Sequence, residues 1–83
     1  MAMVTATFRN SSIFRNRWTI KDGNSSQVVF DSDLEPRGEN GSEVNVNLTP
    51  GNTGKGEVYY KHEGQSVFTH KSFIENGDTV DLY

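Results

Sequence analysis

The sequence predicts an all-β fold: an antiparallel Greek-key β-sandwich, or small barrel, of about seven short strands. β-branched residues dominate, because eight Val, three Ile and seven Thr stand against two Ala and three Leu. Such side chains favour a pleated strand over a helix. Eight Gly and eight Asn supply turns, and the strand-like runs recur roughly every 8–12 residues, as in sandwiches and barrels. We therefore expect residues 1–83 to form a single β domain.

The first half of the chain reads as three strands. Residues 4–9 alternate apolar and polar side chains, as a half-buried strand does. Residues 14–21 predict a second strand, with Phe14, Trp18 and Ile20 facing the core. Residues 22–26 are the strongest turn, because Asp-Gly accepts the positive φ that a tight hairpin needs. A third strand is predicted over residues 27–31, before an exposed loop over residues 35–42.

The second half predicts the remaining strands. Residues 43–48 alternate cleanly, with Val44, Val46 and Leu48 facing inward. A Gly-rich connection follows, and residues 57–62 and 66–74 read as a hairpin closed around Gly64. A turn at residues 76–78 leads to a last strand over residues 79–83, with Val80 and Leu82 facing inward.

The register of the hairpin between residues 57–62 and 66–74 stays open at the level of the sequence. A two-residue loop places Val67 and Phe73 on the inward face, whereas a three-residue loop places Phe68 and Ile74 there instead. A slip of one residue moves every side chain of a strand to the other face, so both alternatives are kept.

Size and charge restrict the class of protein. With 33% hydrophobic residues and no Cys to form a disulfide, a domain this small is marginal alone, so we predict self-association into a homo-oligomer. The net charge of −3 argues against nucleic-acid binding. No apolar stretch is long enough for a signal peptide or a membrane span. We therefore expect a protein that is cytoplasmic or exported by a non-classical route.

The charge is distributed unevenly along the chain. Residues 1–21 hold four basic residues and no acid, which gives +4. Residues 22–57 hold seven acids against two bases, which gives −5, and residues 58–83 hold four acids against two bases, which gives −2. The basic and acidic segments provide a second motive for self-association, because they are able to meet between subunits.

Catalytic and metal-binding patterns are missing from the sequence. There is no Cys nucleophile, no Gly-rich phosphate loop followed by a helix and no G-x-S-x-G motif, so we expect neither an enzyme nor a cofactor. His62 and His70 are the only histidines. In the two-residue register of the hairpin they face opposite sides, and in the three-residue register they stand about 13 Å apart, so no metal shared within one subunit is expected.

Three alternating carboxylates, Asp31, Asp33 and Glu35, project from one side of a strand end. Clustered carboxylates are Ca²⁺ ligands, so a calcium-binding, crystallin-like β domain is a minor alternative. The aromatic corner of the βγ-crystallin Greek key is absent, however, and Pro36 stands where an EF-hand loop needs Gly. A solvated acidic strand end that discourages edge pairing is the favoured interpretation.

The best-defined surface feature is basic. Arg15, Arg17 and Lys21 alternate along one strand, and Arg9 extends the series. Such a face binds an anionic glycan or an acidic protein surface through charge-assisted hydrogen bonds. The alternative is structural: a neighbouring strand that bears Glu43 or Glu57 pairs with these cations across the sheet.

From these features we expect a non-enzymatic recognition module with a glycan, lectin-like ligand. Asn, Ser, Thr and Gly make up 31 of the 83 residues (eight, eight, seven and eight), and such groups suit recognition loops on a β scaffold. The alternative is a structural subunit of an assembly, such as an adhesive, coat or capsid-decorating element, whose only partners are proteins.

Overall fold

The computed structural model describes residues 3–83 and confirms the all-β prediction. Seven strands account for its regular structure: β1 (Val4–Asn10), β2 (Asn16–Asp22), β3 (Val28–Leu34), β4 (Glu43–Leu48), β5 (Gly56–His62), β6 (Thr69–Ile74) and β7 (Thr79–Leu82). Among residues 3–83 there is no helix that could cross a membrane. The molecule measures 36 × 26 × 16 Å along its principal axes.

The strands form two sheets that pack as a β-sandwich. One sheet has the order β4-β1-β7 and the other the order β3-β2-β5-β6. The pairs β1–β4 and β2–β5 join strands that are far apart in the sequence, which is the connectivity of a Greek key.

One pair departs from the antiparallel prediction, because β7 runs parallel to β1. The chain crosses from β6 in one sheet to β7 in the other and enters β7 in the direction of β1. Parallel neighbours need a long connection, and the five strands between β1 and β7 provide it.

The core lies between the sheets and follows the predicted alternation. Trp18, Ile20 and Leu48 are completely buried, in agreement with the sequence. Burying a Trp or Leu side chain contributes about 1.5–3 kcal/mol or more, so these residues dominate the stability of so small a domain.

Phe14 was predicted to share this core, and that prediction is wrong, because its side chain is 68% exposed. The strand begins only at Asn16, so the alternation does not extend back to Phe14. The backbone of Phe14 is held in the β1–β2 connection instead: its N–H donates to Ser12 Oγ at 3.0 Å, and its carbonyl accepts from Asn10 Nδ2 at 2.9 Å.

The hairpin β5–β6 follows neither predicted register throughout. Tyr59 lies opposite His70, as the two-residue loop requires, but Gly56 lies opposite Ile74, which is one residue further. The shift is a β-bulge in which Phe73 adopts a φ of 58°. The bulge reverses the alternation, so Ile74 is buried and Phe73 is exposed. Val67 and Phe68 are both outside the core, because β6 begins only at Thr69.

Strand β3 is longer than predicted, since it continues from residue 31 to Leu34, which is buried. Asp31 and Asp33 are therefore side chains within a strand and not at its end. A register shift between Ile20 and Lys21 sets Val28 opposite Lys21 on the outer side of the sheet.

Two buried polar side chains fix the turns at the two ends of the sandwich. Asn10 Nδ2 donates to the carbonyl oxygens of Phe14 and Glu35, at 2.9 and 3.1 Å, and so joins two loops. At the other end the carboxylate of Asp22 accepts from the N–H groups of Asn24 at 2.9 Å and Thr49 at 2.7 Å. Buried polar groups need such partners, which explains their burial.

Candidate functional site

The outer face of the four-stranded sheet carries most of the predicted ligand residues. Trp18 and Ile20 point into the core, so their neighbours Arg17, Thr19 and Lys21 lie on the opposite side of β2. Arg15 precedes the strand and joins this face through contacts with β3. Three of the four predicted cations are therefore brought together by β2.

The arginines on this face are already paired. Arg17 Nε donates to Asp31 at 3.0 Å, and Arg15 Nη2 donates to Asp33 at 2.9 Å, with Glu35 a further 3.5 Å contact of Arg15. The predicted structural partners were Glu43 or Glu57, but the acidic strand is β3. The turn at residues 22–26 makes β3 the neighbour of β2, so the basic and acidic segments of the sequence meet within one chain.

The pairing of Arg17 with Asp31 shifts their pKa values in opposite directions. The hydrogen bond between them raises the pKa of Arg17 and lowers the pKa of Asp31. Thr19 Oγ1 also donates to Asp31, at 3.2 Å, and favours its charged form. The carboxylates proposed as calcium ligands thus face guanidinium groups, and within residues 3–83 no three His, Asp or Glu side chains converge as a metal ion would require.

Arg9 is separated from the other three cations. It lies on β1, in the other sheet, and its guanidinium contacts Asp81 on β7 at 2.8 Å. Both side chains line a cavity of about 680 Å³ beneath the loop between β3 and β4, with Arg37, Glu39 and other polar residues of that loop. The lining mixes both signs of charge, so it offers no continuation of the basic face of β2.

A cluster that the sequence analysis did not identify occupies the other half of the outer face. The rings of Tyr59 and His70 stack with centroids 4.5 Å apart and planes at 13°. Phe68 lies nearby, with the ammonium of Lys61 5.2 Å from its ring centroid. We call Tyr59, Phe68 and His70 the aromatic patch. Tyr59 and Phe68 are 36% and 40% exposed, so solvent reaches both rings.

The aromatic patch lies among cations that have no acidic partner. Lys21 stands opposite Tyr59 across the β2–β5 pair, and Lys61 stands opposite Thr19. Neither lysine forms an ion pair with any residue in the range 3–83. His70, by contrast, is held by Glu57, whose carboxylate lies 2.6 Å from its Nε2.

Two shallow depressions flank this arrangement. One, of about 200 Å³, is lined by Lys21, Tyr59 and Phe68 together with the turn after β2. The other, of about 320 Å³, runs between Arg17 and Lys61. The outer face therefore combines aromatic surface, unpaired ammonium groups and concave shape, which are features of recognition sites.

The two histidines lie on opposite faces, as the two-residue register implies. His70 belongs to the aromatic patch, whereas His62 stands opposite Trp18 and packs edge-on against its ring, with centroids 5.1 Å apart. His62 Nδ1 donates to the carbonyl of Glu63 at 2.8 Å.

The phenol of Tyr60 lies in the core, where burial, with Tyr83 nearby, raises its pKa to about 12.

The aromatic patch was detectable in part from the sequence. Glu57, Tyr59 and Lys61 alternate with the core residues of β5, so their outward position follows from Val58 and Tyr60 being buried. Their proximity to Lys21 depends on the non-local pairing of β2 with β5 and has no signal in a single sequence.

Comparison of the chain with protein-family models, curated proteins and solved structures finds no match, so function is inferred from the geometry of this face.

Proposed function

We propose that the protein is a non-enzymatic recognition module that binds an anionic glycan on the outer face of the four-stranded sheet. The observation that carries the proposal is the position of two exposed rings, Tyr59 and Phe68, between Lys21 and Lys61, which have no acidic partner within residues 3–83. A charged sugar presents the complementary groups: an apolar ring face and a carboxylate or sulfate.

The aromatic patch is organised before any ligand arrives. Tyr59 stacks on His70, and His70 is held in turn by Glu57 at 2.6 Å. A ring that is already fixed loses little conformational entropy on binding, so more of the contact energy appears as affinity. Tyr also adds a hydroxyl that bonds to a polar ligand while the ring covers its apolar face.

The lysines are better placed than the arginines to take the negative charge of a ligand. Arg15 and Arg17 already bind Asp33 and Asp31, so a ligand must compete with these carboxylates. Lys21 and Lys61 have no carboxylate to displace within residues 3–83, although the Lys61 ammonium lies over the Phe68 ring. Because the contacts are exposed, salt screens them over about 8–10 Å, and we expect affinity to fall with ionic strength.

The proposal is tested by titrating a heparin-derived tetrasaccharide into the protein and following backbone amide resonances, with uncharged maltotetraose as the comparison ligand. We expect saturable shifts on β2, β5 and β6 with the charged sugar and at least tenfold weaker binding of maltotetraose. Tyr59→Ala removes a stacking surface that contributes about 1–2 kcal/mol, so we expect roughly tenfold weaker binding. Lys61→Gln should weaken binding several-fold and flatten its salt dependence.

Lys71→Gln is the matched control, because Lys71 is exposed on β6 but lies opposite Val58, on the other side of the sheet. It makes the same change in net charge as Lys61→Gln. If the two lysine variants weaken binding equally, the attraction is a general charge effect and the site is wrong. If neither sugar produces saturable shifts, the proposed glycan ligand is wrong.

A structural subunit of an assembly is the second candidate. Val67 and Phe73, both 73% exposed, lie on or next to the edge strand β6 and favour a protein contact there. The bulge at Phe73 interrupts that edge and hinders strand-to-strand addition. Sedimentation velocity at micromolar concentration tests this second candidate: a dimer or larger species that Phe73→Ser dissociates supports assembly through this edge, and a monomer opposes it.

A further inference from the structure

A second cavity, distinct from the outer face, opens at the end of the sandwich where β1 finishes and β2 begins. Its volume is about 360 Å³, within the range of small-molecule sites. Residues that line it include Ser11, Phe14, Asn16, Trp18, His62 and Tyr83. Trp18 and His62 belong to the inner side of the sheet, so this cavity and the aromatic patch lie on different sides of β2 and β5.

This cavity coincides with the polar atoms that the fold leaves without partners. In residues 3–83 the buried side-chain atoms that lack a hydrogen bond are Trp18 Nε1 and Ser11 Oγ, and both residues line the cavity. An indole N–H is only a donor, and a buried donor without an acceptor is destabilising. Other buried polar side chains, such as Asn10 and Asp22, are well bonded. Ser11 also lines the cavity of about 680 Å³, whereas Trp18 lines only this one, so the unpartnered indole N–H is the polar atom specific to this cavity.

The rim of the cavity is aromatic and accessible. Phe14 and Tyr83 are 68% and 71% exposed, although both are large apolar side chains in a small domain. The ring of Phe14 lies outside the core, whereas the ring of Tyr83 packs edge-on against the core residue Tyr60, with centroids 6.2 Å apart. A ligand that enters between them would reach the ring of Trp18, which is otherwise completely buried.

The lining residues define the chemistry of the ligand. Among residues 3–83 the lining includes no Lys, Arg, Asp or Glu, and His62 is bonded through Nδ1 to the carbonyl of Glu63, so the cavity has no permanent charge to compensate a charged ligand. Its aromatic side chains favour a flat apolar body, and Trp18 Nε1 requires an acceptor oxygen. We propose that this cavity binds a small neutral molecule that combines a flat apolar body with a carbonyl oxygen.

The test uses the only Trp of the chain, whose single indole N–H resonance reports directly on the proposed contact. Benzamide, a planar ring with a carbonyl, is titrated against the full chain, and ethylbenzene provides a similar body without an acceptor. We expect benzamide to shift the indole N–H resonance downfield in a saturable manner. Ethylbenzene should bind about fivefold to tenfold more weakly, the ratio that one hydrogen bond contributes.

Two variants check the location. Phe14→Ala should weaken benzamide binding several-fold while the protein stays folded, whereas Ile13→Ser changes an equally exposed neighbour that does not line the cavity and should have no effect. Ser11→Ala removes an unpartnered hydroxyl, so we expect unchanged or slightly higher stability with weaker benzamide binding.

Three results would overturn the inference. Equal affinities for benzamide and ethylbenzene would show an apolar cavity in which the indole N–H plays no part. An indole resonance that neither compound moves would show that this donor takes solvent water only. Equal effects of Phe14→Ala and Ile13→Ser would place any binding elsewhere. None of these results depends on the tetrasaccharide experiment, because that ligand is followed on the outer face.

Discussion

The buried carboxylate of Asp22 gives the sharpest test of how the turns hold this sandwich together. Its two oxygens serve different segments: Oδ1 accepts from Asn24 N at 2.9 Å, and Oδ2 accepts from Thr49 N at 2.7 Å. Hydrogen bonds to a charged group contribute about 1.5–3 kcal/mol each. Since both hydrogen bonds are only partly buried, we take the lower value, and Asp22→Ala should cost about 3 kcal/mol of unfolding free energy.

That loss is large for a chain of this length. At about 0.05–0.15 kcal/mol per residue, the whole domain is stable by about 4–12 kcal/mol. With a guanidinium m-value of about 2 kcal/mol/M, the unfolding midpoint of Asp22→Ala should fall by about 1.5 M, as followed by Trp18 fluorescence. Asp22→Asn keeps the shape but replaces one acceptor oxygen with a donor, so we expect roughly half the shift.

Asp78→Ala is the control, because Asp78 makes the same kind of turn contact in an exposed position, accepting from Glu75 N at 2.8 Å. In Asp78→Ala, water replaces the hydrogen bond from Glu75 N, so the free energy of unfolding should fall by less than about 0.5 kcal/mol. Equal midpoints for the Asp22 and Asp78 variants would refute the argument that burial makes the Asp22 carboxylate important.

Three further results are expected. Phe14→Ala should change the free energy of unfolding by less than about 0.5 kcal/mol in guanidinium titration, because the ring is exposed; a loss of several kcal/mol would return it to the core. The pKa of Asp31 is lowered in the folded protein, so its pairing with Arg17 stabilises the fold above the ordinary Asp pKa. This stabilisation is lost as the pH falls through the folded pKa. In Arg17→Ala the pKa of Asp31, measured by carboxyl ¹³C NMR, should rise. Gly56→Ala places a Cβ 2.9 Å from Leu48 Cδ1 in the core, which should cost about 1–3 kcal/mol and lower the melting temperature by about 5–15 °C; unchanged melting would show that Leu48 moves aside freely.

The sequence predicted the fold where alternation is uninterrupted. The side chains of β2 and β4 face as expected, because period-two alternation of a strand with one buried face is a direct consequence of its geometry. The prediction failed where backbone geometry changes the alternation. Phe73 at a φ of 58° moves Ile74 to the inner face, and no residue type in this segment signals a bulge, since neither Gly nor Asn is present. The prediction that Phe14 is a core residue failed because local hydrogen bonds hold its backbone outside β2.

The candidate site was predictable only where it depends on neighbouring segments of the chain. The outward position of Arg17 and the alternation of Asp31 with Asp33 are both visible in the sequence, and the hairpin turn at residues 22–26 makes their strands neighbours. The pairing of Arg17 with Asp31 was therefore available in principle. The position of Tyr59 beside Lys21 was not, because it depends on how β2 and β5 pair across about 40 residues of chain.

The parallel pairing of β1 with β7 has a mechanical consequence. Leu82 lies opposite Asn10, so Val4 and Leu82 stand at opposite ends of their shared sheet, about 20 Å apart at roughly 3.3 Å per residue. A force that pulls these two residues apart acts along both strands and loads the hydrogen bonds between them in shear, all at the same time. In an antiparallel terminal pair the same force would open the bonds one after another. The backbone N–H groups of Thr7 and Ser11 donate to the carbonyl oxygens of Asp78 and Leu82, at 2.9 and 3.0 Å. The hydrogen bonds between β1 and β7 therefore resist stretching together.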